Sequence, residues 1–217
     1  MHISMSPSGQ PLMEKPELIE RLLAHCQRRH FAAKSSILRQ GAPANDLYYI
    51  LSGAVSVTLQ DEDGRELVLS YLNEGDFFGE LGFFGQDHAR SAQIRARTDC
   101  EVAQISYEQA HALGESLPEL IFLIAGQMAE RLSRTNQKVG DLAFTDVSGR
   151  IARTLLELCE QPDALTHPDG MQIRVTRQEL SRFVGCSREM VGRVLKSLEE
   201  QHLISVSGKT IVVFGAR

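Results

Sequence analysis

The first strongly patterned stretch of the chain is a short amphipathic segment near its beginning. Its apolar residues recur at i, i+1, i+4, i+5 and i+8, namely Leu18, Ile19, Leu22, Leu23 and Cys26. Residues with this spacing share one face of an α-helix. The pattern predicts a helix from Pro16 to Cys26 that buries one side.

The following residues alternate between apolar and polar positions in short segments separated by glycines. Val55, Val57 and Leu59 alternate with polar neighbours, and the alternation resumes after Asp63-Gly64 at residues 67–71. An Asp-Gly pair between alternating segments predicts a β-hairpin. Further strands are expected at 92–96 and 102–106, so this region is predicted to be an all-β barrel or sandwich.

Helical periodicity returns after Ser116. Ser116 and Glu119 have the spacing of a capping box, which predicts the start of a long helix. Steps of four and three then separate Leu117, Ile121, Ile124, Met128, Arg131, Thr135, Lys138 and Leu142. Such a seam is typical of a two-stranded coiled coil. The alternative is an amphipathic helix packed on its own barrel, and both interpretations keep the helix.

A second domain is expected to begin around residues 144–146. Asp146 is a predicted N-cap for a helix whose apolar positions continue to Leu158 and which Pro162 ends. Residues 161–170 have the composition of an exposed loop.

Two short helices joined by a glycine turn are predicted after this loop. Thr176 and Glu179 form a second capping box, Gly185 ends the first helix, and Ser187 caps the next. The second helix has an apolar face at Val191, Val194, Leu195 and Leu198 and an opposite face at Arg188, Glu189, Gly192, Arg193 and Lys196. With a hairpin around Ser207-Gly208, this order predicts a winged helix-turn-helix.

Charge is distributed unevenly along the chain. The formal net charge is −5, of which residues 1–144 carry −6 and the remainder +1. A local excess of positive charge lies between Arg174 and Lys196, so a polyanion is expected to bind there. In a major groove, Arg188 and Arg193 can each donate to guanine and Glu189 can accept from cytosine, while Gly192 permits close approach. The alternative is a solvated basic helix face.

Other features narrow the class of protein. The four cysteines are widely spaced, which argues against a disulfide framework or a zinc site, and no metal is expected. No segment has the roughly 20 continuous apolar residues of a membrane span. The N-terminus is polar and lacks the apolar region of a signal peptide. A cytoplasmic protein that contacts no membrane is therefore expected.

A candidate anion site lies in the first domain, where Gly79-Glu80-Leu81-Gly82 is followed by Arg90-Ser91. Arg90, the Ser91 hydroxyl and the backbone near Leu81 can donate to a cyclic phosphate, and Glu80 can accept from a ribose hydroxyl. Gly79 and Gly82 permit close backbone approach. The alternative is an ordinary ion pair between Glu80 and Arg90.

At these residues the sequence resembles the cyclic AMP receptor proteins of the receptor and oxygen-regulator family of bacterial transcription factors. The most specific matching segments are 79–82 with 90–91, 139–144, 161–172, 176–180 and 185–193. The resemblance implies an α+β fold: an N-terminal β-barrel or jelly-roll domain that binds cyclic AMP (1–117), a dimerisation helix with a hinge (118–144) and a winged helix-turn-helix (145–217). It also implies a homodimer that binds a palindromic site in double-stranded DNA and contacts RNA polymerase.

The resemblance further assigns individual residues. Thr135 and Asn136 would receive the adenine, one from each subunit. The predicted DNA contacts are Thr176, Arg177, Gln178, Ser187, Arg188, Glu189, Gly192, Arg193 and Lys196. The predicted polymerase surface is Thr166, His167, Pro168, Asp169 and Gly170, whereas a second such surface near Gln27, Arg29 and Gln109 is only partly kept. The family usually has a hydroxyl residue at Asn136 and a polar residue at Ala89, so nucleotide selectivity is left open.

The sequence also bears on alternative functions. An iron-sulfur oxygen sensor needs an N-terminal cysteine cluster, and only Cys26 lies there. His25, His30, His88 and His111 show no haem-ligand pattern. A family member that senses cyclic GMP or a haem-bound gas, or that binds DNA without ligand, is the remaining alternative. No nucleophile-base pair is evident, and the room after residue 144 fits only a winged helix, so the chain is not expected to be an enzyme.

Overall fold

The computed structural model describes residues 16–85 and 89–216, which form two compact units divided between Arg134 and Thr135. Four helices contribute to the first unit: α1 (Pro16–Leu23), α2 (Glu80–Phe84), α3 (Tyr107–Ser116) and the first part of α4 (Pro118–Phe144). Its strands are β1 (Gln27–Phe31), β2 (Ser36–Leu38), β3 (Asp46–Ser52), β4 (Val55–Gln60), β5 (Glu66–Leu72), β6 (Phe77–Phe78), β7 (Gln93–Ala96) and β8 (Cys100–Ser106).

These strands form two antiparallel sheets, ordered β1-β8-β3-β6 and β2-β7-β4-β5. The predicted hairpin is confirmed: β4 pairs with β5 from Val55 opposite Leu72 to Gln60 opposite Glu66. Gly64 in the connecting turn has a φ of +77°, which favours glycine. One apolar cluster contains Ile50, Val55, Phe78 and Val102 from both sheets.

A second apolar cluster joins the helices to the sheet that contains β3 and β8. It includes Leu22 from α1, Phe77 from β6, and Leu120 and Ile124 from α4. The predicted first helix exists but ends at Leu23, not Cys26. The amides of His25 and Cys26 bond three residues back, which tightens the last turn, and Gln27 then pairs with Gln104 in β8.

The predicted capping box at Ser116 is wrong. Ser116 is the last residue of α3, and its hydroxyl donates to the carbonyl of Leu113 at 2.9 Å. Helix α4 then begins at Pro118. Proline is well suited to a first helical position because the missing amide proton has no intrahelical acceptor there.

The predicted coiled-coil seam is wrong over its first half. Leu117 and Ile124 are buried in the core of their own unit, and Ile121 and Met128 pack against that core. The alternative, an amphipathic helix packed on its own barrel, is confirmed for residues 117–128. A different row of α4 is exposed, with the same alternation of three and four: Phe122, Ala125, Ala129, Leu132, Asn136, Val139 and Ala143. We call this row the exposed stripe.

The second unit contains the end of α4 and three further helices, α5 (Val147–Cys159), α6 (Arg177–Val184) and α7 (Arg188–Glu200). Its strands, β9 (Leu165–His167), β10 (Gly170–Arg174), β11 (Ile204–Ser207) and β12 (Thr210–Phe214), form an antiparallel sheet ordered β11-β12-β10-β9. The predicted cap at Asp146 is confirmed, since its side chain accepts from Gly149. The loop predicted at 161–170 is partly wrong, because Leu165–His167 pairs with β10.

Candidate nucleotide pocket and nucleic-acid interface

Arg90 is the centre of the candidate nucleotide pocket. Its side chain is buried, with 7% of the residue exposed. The guanidinium donates to the hydroxyl of Tyr107 at 2.9 Å, to the carbonyl of Asp46 at 2.9 Å and to that of Gly79 at 3.3 Å. Its Nε is buried and has no acceptor within the described residues. Among the described residues, all hydrogen-bond acceptors of this buried cation are neutral and one donor is unused, which fits an anionic ligand.

Glu80 does not pair with Arg90. Its Oε1 accepts from Nη1 of Arg131 on α4 at 3.1 Å, and the same guanidinium reaches Asp76 at 3.2 Å. The predicted alternative, an ordinary ion pair between Glu80 and Arg90, is therefore wrong. Because these two side chains do not neutralise each other, Glu80 offers the pocket a hydrogen-bond acceptor and Arg90 offers it a donor.

The two glycines of the motif are required by close approach. At Gly79, where φ is +83°, an added Cβ would lie 2.7 Å from Nη1 of Arg90. At Gly82 it would lie 2.6 Å from the hydroxyl of Tyr107 and 2.9 Å from Cβ of Ala44. Both contacts are too short for real side-chain carbons, so larger residues would displace the groups that hold Arg90.

The other residues predicted to bind nucleotide are exposed. Leu81 and Ser91 belong to the first unit and follow Glu80 and Arg90 directly in the sequence. Thr135 and Asn136 are exposed on α4 and belong to the second unit. Their predicted roles stay predictions.

Three pocket residues were not predicted as such: Asp46, Tyr107 and Arg131. Asp46 and Tyr107 are 44 and 17 positions from Arg90 in sequence, and neither carries a local signal for this role. Arg131 did carry one, since a charged residue interrupts a row of apolar helix positions. In the sequence, however, the same position fits the predicted coiled-coil seam.

The helix-turn-helix follows the sequence prediction closely. Thr176 and Glu179 form the capping box, and Gly185 ends α6 in the left-handed conformation with a φ of +67°. Ser187 caps α7 by accepting from the amide of Met190. The hydroxyl of Thr176 donates to the carboxylate of Glu179 at 2.8 Å, so its single proton is used within the capping box.

The exposed face of α7 borders a groove of about 840 Å³, lined by Arg177, Arg188, Glu189, Gly192, Arg193, Leu195, Lys196, Glu199 and Val206. Glu189 and Arg193 pair at 3.0 Å, and both are well exposed. Val191, Val194, Leu195 and Leu198 are buried, as predicted. The structure thus gathers Arg177, Gly192 and the predicted charged residues of α7 on one surface.

The predicted polymerase residues form the β9–β10 hairpin. Thr166 and Asp169 are exposed, and His167 Nδ1 lies 3.7 Å from a carboxylate oxygen of Asp169. Gly170 is closely packed, since an added Cβ would lie 2.0 Å from the carbonyl oxygen of Val213. The hairpin therefore has a defined shape.

Within residues 16–85 and 89–216, no helix is both long and apolar enough to cross a membrane. The same residues contain no group of three or more His, Cys, Asp or Glu side chains suited to a metal ion. His88, one of the histidines considered as a haem ligand, lies outside the described residues.

Comparison with known proteins identifies the family. Residues 28–116 match the cyclic nucleotide-binding domain family, and residues 149–214 match the Crp-like helix-turn-helix domain family. The chain is 58% identical to the cAMP-activated global transcriptional regulator Vfr of Pseudomonas aeruginosa, over 92% of this chain and 94% of Vfr. The chain belongs to the CRP family of transcriptional regulators. This membership confirms the predicted family, fold class and role as a regulator, not an enzyme.

Two further relatives extend the comparison. The cAMP-activated global transcriptional regulator CRP of Salmonella typhimurium is 56% identical over 92% of this CRP-family chain and 95% of its own. The solved structure of CLP, a c-di-GMP responsive global regulator of Xanthomonas campestris, has a TM-score of 0.88 and 46% identity. That match covers 93% of this chain and 100% of CLP.

Proposed function

We propose that this chain is a cyclic-AMP-responsive transcription regulator that binds a palindromic DNA site as a homodimer. The observation that carries the proposal is Arg90, a buried guanidinium whose Nε has no acceptor and whose hydrogen bonds all go to neutral groups within the described residues. A cyclic phosphate supplies the single negative charge that such a group requires. The names of the relatives Vfr and CRP support cyclic AMP as the effector.

In this proposal the pocket divides the ligand between two kinds of residue. Arg90, Ser91 and the backbone at Leu81 donate to the phosphate, whereas Glu80 accepts from the ribose. Gly79 and Gly82 leave room for the groups that hold Arg90. Thr135 and Asn136 are assigned to the base, and the carboxamide of Asn136 offers both a donor and an acceptor.

The exposed stripe of α4 supports the homodimer. Its apolar members include Phe122, Leu132 and Val139, each more than half exposed, and Asn136 lies in the same row. Rows with this alternation pair with a second copy in coiled coils. Asn136 would then face the partner subunit, although the register differs from the predicted seam.

Helix α7 is the proposed reading element for DNA. An exposed pair such as Glu189–Arg193 is worth about 0.2–1 kcal/mol, whereas a two-pronged arginine–guanine contact is worth roughly 1–3 kcal/mol. The intrahelical pair therefore does not prevent Arg193 from reading a base. Thr176, Gln178 and Ser187 begin α6 and α7, where backbone amides point toward phosphates.

The remaining parts of the proposal rest on the resemblance alone. The β9–β10 hairpin, from Thr166 to Gly170, is proposed to contact RNA polymerase in the cytoplasm. The proposed domain boundaries fall at the two ends of α4, after residues 117 and 144, whereas the compact units divide inside that helix.

Calorimetry on an Arg90→Leu variant tests the effector site. Loss of one buried charged partner costs roughly 3–5 kcal/mol, so cyclic AMP binding should fall below detection while the fold is kept. Arg95→Leu, an exposed arginine on β7, is the control and should bind as the parent does. Unchanged cyclic AMP affinity in Arg90→Leu would refute the assignment. Tighter parent binding of cyclic GMP or cyclic di-GMP would instead replace the proposed effector.

A further inference from the structure

The side chain of Gln127 attaches helix α4 to residues 75–77, the segment that leads into the pocket. The Gln127 amide nitrogen donates to the carbonyl of Gly75 at 2.8 Å, and its oxygen accepts from the amide of Phe77 at 2.9 Å. These two bonds lie on either side of Asp76. One side chain thereby satisfies one backbone carbonyl and one backbone amide of this segment.

Arg131, one turn after Gln127, makes a second attachment to the same segment. Its guanidinium lies between Asp76 at 3.2 Å and Glu80 at 3.1 Å, and it also donates to the oxygen of Gln127 at 3.3 Å. The side chain of Arg131 is 20% exposed and that of Glu80 is 12% exposed. Ion pairs shielded from solvent in this way are screened little by salt.

The two attachments have different partners. Gln127 contacts only backbone groups on the segment, whereas Arg131 contacts the carboxylate that we assign to the ribose. Arg131 binds Oε1 of Glu80, which leaves Oε2 as the oxygen for a ribose hydroxyl. A shift of α4 along this segment would therefore move Arg131 relative to Glu80.

We propose that Gln127 is a positioning residue that couples the nucleotide pocket to α4. It fixes the register of the helix against residues 75–77, so that Arg131 shares Glu80 with the ligand. A nucleotide bound at Glu80 then changes the ion pair by which Arg131 attaches α4 to this segment. The change reaches the DNA-binding unit through α4. The inference rests on the proposed function, because it requires a nucleotide at Glu80.

A purely structural role predicts something different. If Gln127 only satisfied backbone groups, its loss would weaken nucleotide binding equally with and without DNA. A coupling role instead changes the ratio of the two affinities. By linkage, the factor by which cyclic AMP raises DNA affinity equals the factor by which DNA raises cyclic AMP affinity.

The experiment measures both factors in full-length Gln127→Ala, with Glu130→Ala, an exposed neighbour on the same helix, as the control. Both factors should fall together in Gln127→Ala by about tenfold. Cyclic AMP affinity without DNA should change far less. Glu130→Ala should behave as the parent.

A second variant, Gln127→Glu, keeps the proposal testable if Gln127→Ala does not fold. It keeps the acceptor for Phe77 and Arg131 but loses the donor to Gly75, so its coupling should be intermediate. Parent-like coupling in both Gln127 variants, or affinity losses that are equal with and without DNA, would overturn the inference. A parent protein that binds no cyclic AMP would overturn the proposed function instead.

Discussion

Tyr107 sets the orientation of Arg90 through a single hydroxyl. The hydroxyl donates to the carbonyl of Gly79 at 2.5 Å and accepts from the Arg90 guanidinium at 2.9 Å. Burial raises the pKa of Tyr107, so the phenol keeps its proton at neutral pH and remains a donor. A Cβ added at Gly82 would lie 2.6 Å from this hydroxyl, so a larger residue at position 82 would displace Tyr107.

Tyr107→Phe should weaken cyclic AMP binding without unfolding the barrel. A hydrogen bond to a charged group contributes about 1.5–3 kcal/mol, so a loss of roughly tenfold or more in affinity is expected. Tyr48→Phe is the matched control, since its ring lies 5.7 Å from the same guanidinium but its hydroxyl accepts none of the hydrogen bonds described for Arg90. Calorimetry that shows equal affinities for the two variants would contradict this role.

At this scale the sequence predicted the residues that carry a local signal. The glycines and Arg90 lie within one short motif, and helix caps such as Thr176 depend on residues three positions away. Tyr107 and Arg131 were not predicted, because the groups that they contact are 17 and 51 positions distant in sequence. Only the folded chain brings such groups together.

Among the elements, the end of α4 is joined to α5 and α6 by charged side chains. Asp141 of α4 pairs with Arg153 of α5. The ammonium group of Lys138 lies 5.1 Å from the centre of the Phe183 ring on α6. Burial lowers the pKa of Lys138, and the opposing attraction of Glu157 is smaller. The charge on Lys138 is therefore held in an environment that disfavours it.

Lys138→Met should leave the protein as stable at pH 7 as the parent, or more stable by at most about 1 kcal/mol. Methionine keeps the contact with Phe183 and removes the desolvated charge. Since the folded chain binds this proton less tightly than the unfolded chain, parent stability rises as the pH approaches 10.5, and the advantage of the variant shrinks.

Urea unfolding at pH 7 and near pH 10 measures this difference. Lys196→Met, at an exposed position on α7, serves as the control. A Lys138→Met protein that is clearly less stable than the control at pH 7 would show that the attraction between the ammonium group and the ring outweighs the cost of desolvation.

Elements were predicted best where a cap or a turn residue marks their ends. The β4–β5 hairpin and α6–α7 have such signals, whereas α1 was predicted to continue too far and the strand at Leu165–His167 was missed. The periodicity of α4 was ambiguous because two rows of the same helix alternate by three and four. One row packs against the barrel and the other is exposed. Periodicity alone does not decide which row is buried.

For the whole molecule, the uneven charge predicted two parts with different partners. The acidic first part contains the pocket, and the more basic second part contains the helix-turn-helix. What composition could not reveal is which face of α4 remains for a second copy. The exposed stripe is the face that we propose for the second copy, and it makes the proposed dimer testable.

Leu132→Glu should convert the proposed dimer to monomers. Leu132 is 62% exposed in the single chain, and each buried leucine in a dimer contributes about 1.5–3 kcal/mol. The substitution acts twice in a symmetric dimer, so a loss of roughly 3–6 kcal/mol, or at least a hundredfold in the dimer dissociation constant, is expected. Leu156→Glu is the matched control, because Leu156 is similarly exposed, at 52%, but belongs to α5 and is not a member of the stripe. Light scattering across a concentration series gives the mass of each variant. If Leu132→Glu stays dimeric, or if Leu156→Glu dissociates equally, the partner surface is not the exposed stripe and the position assigned to Asn136 fails with it.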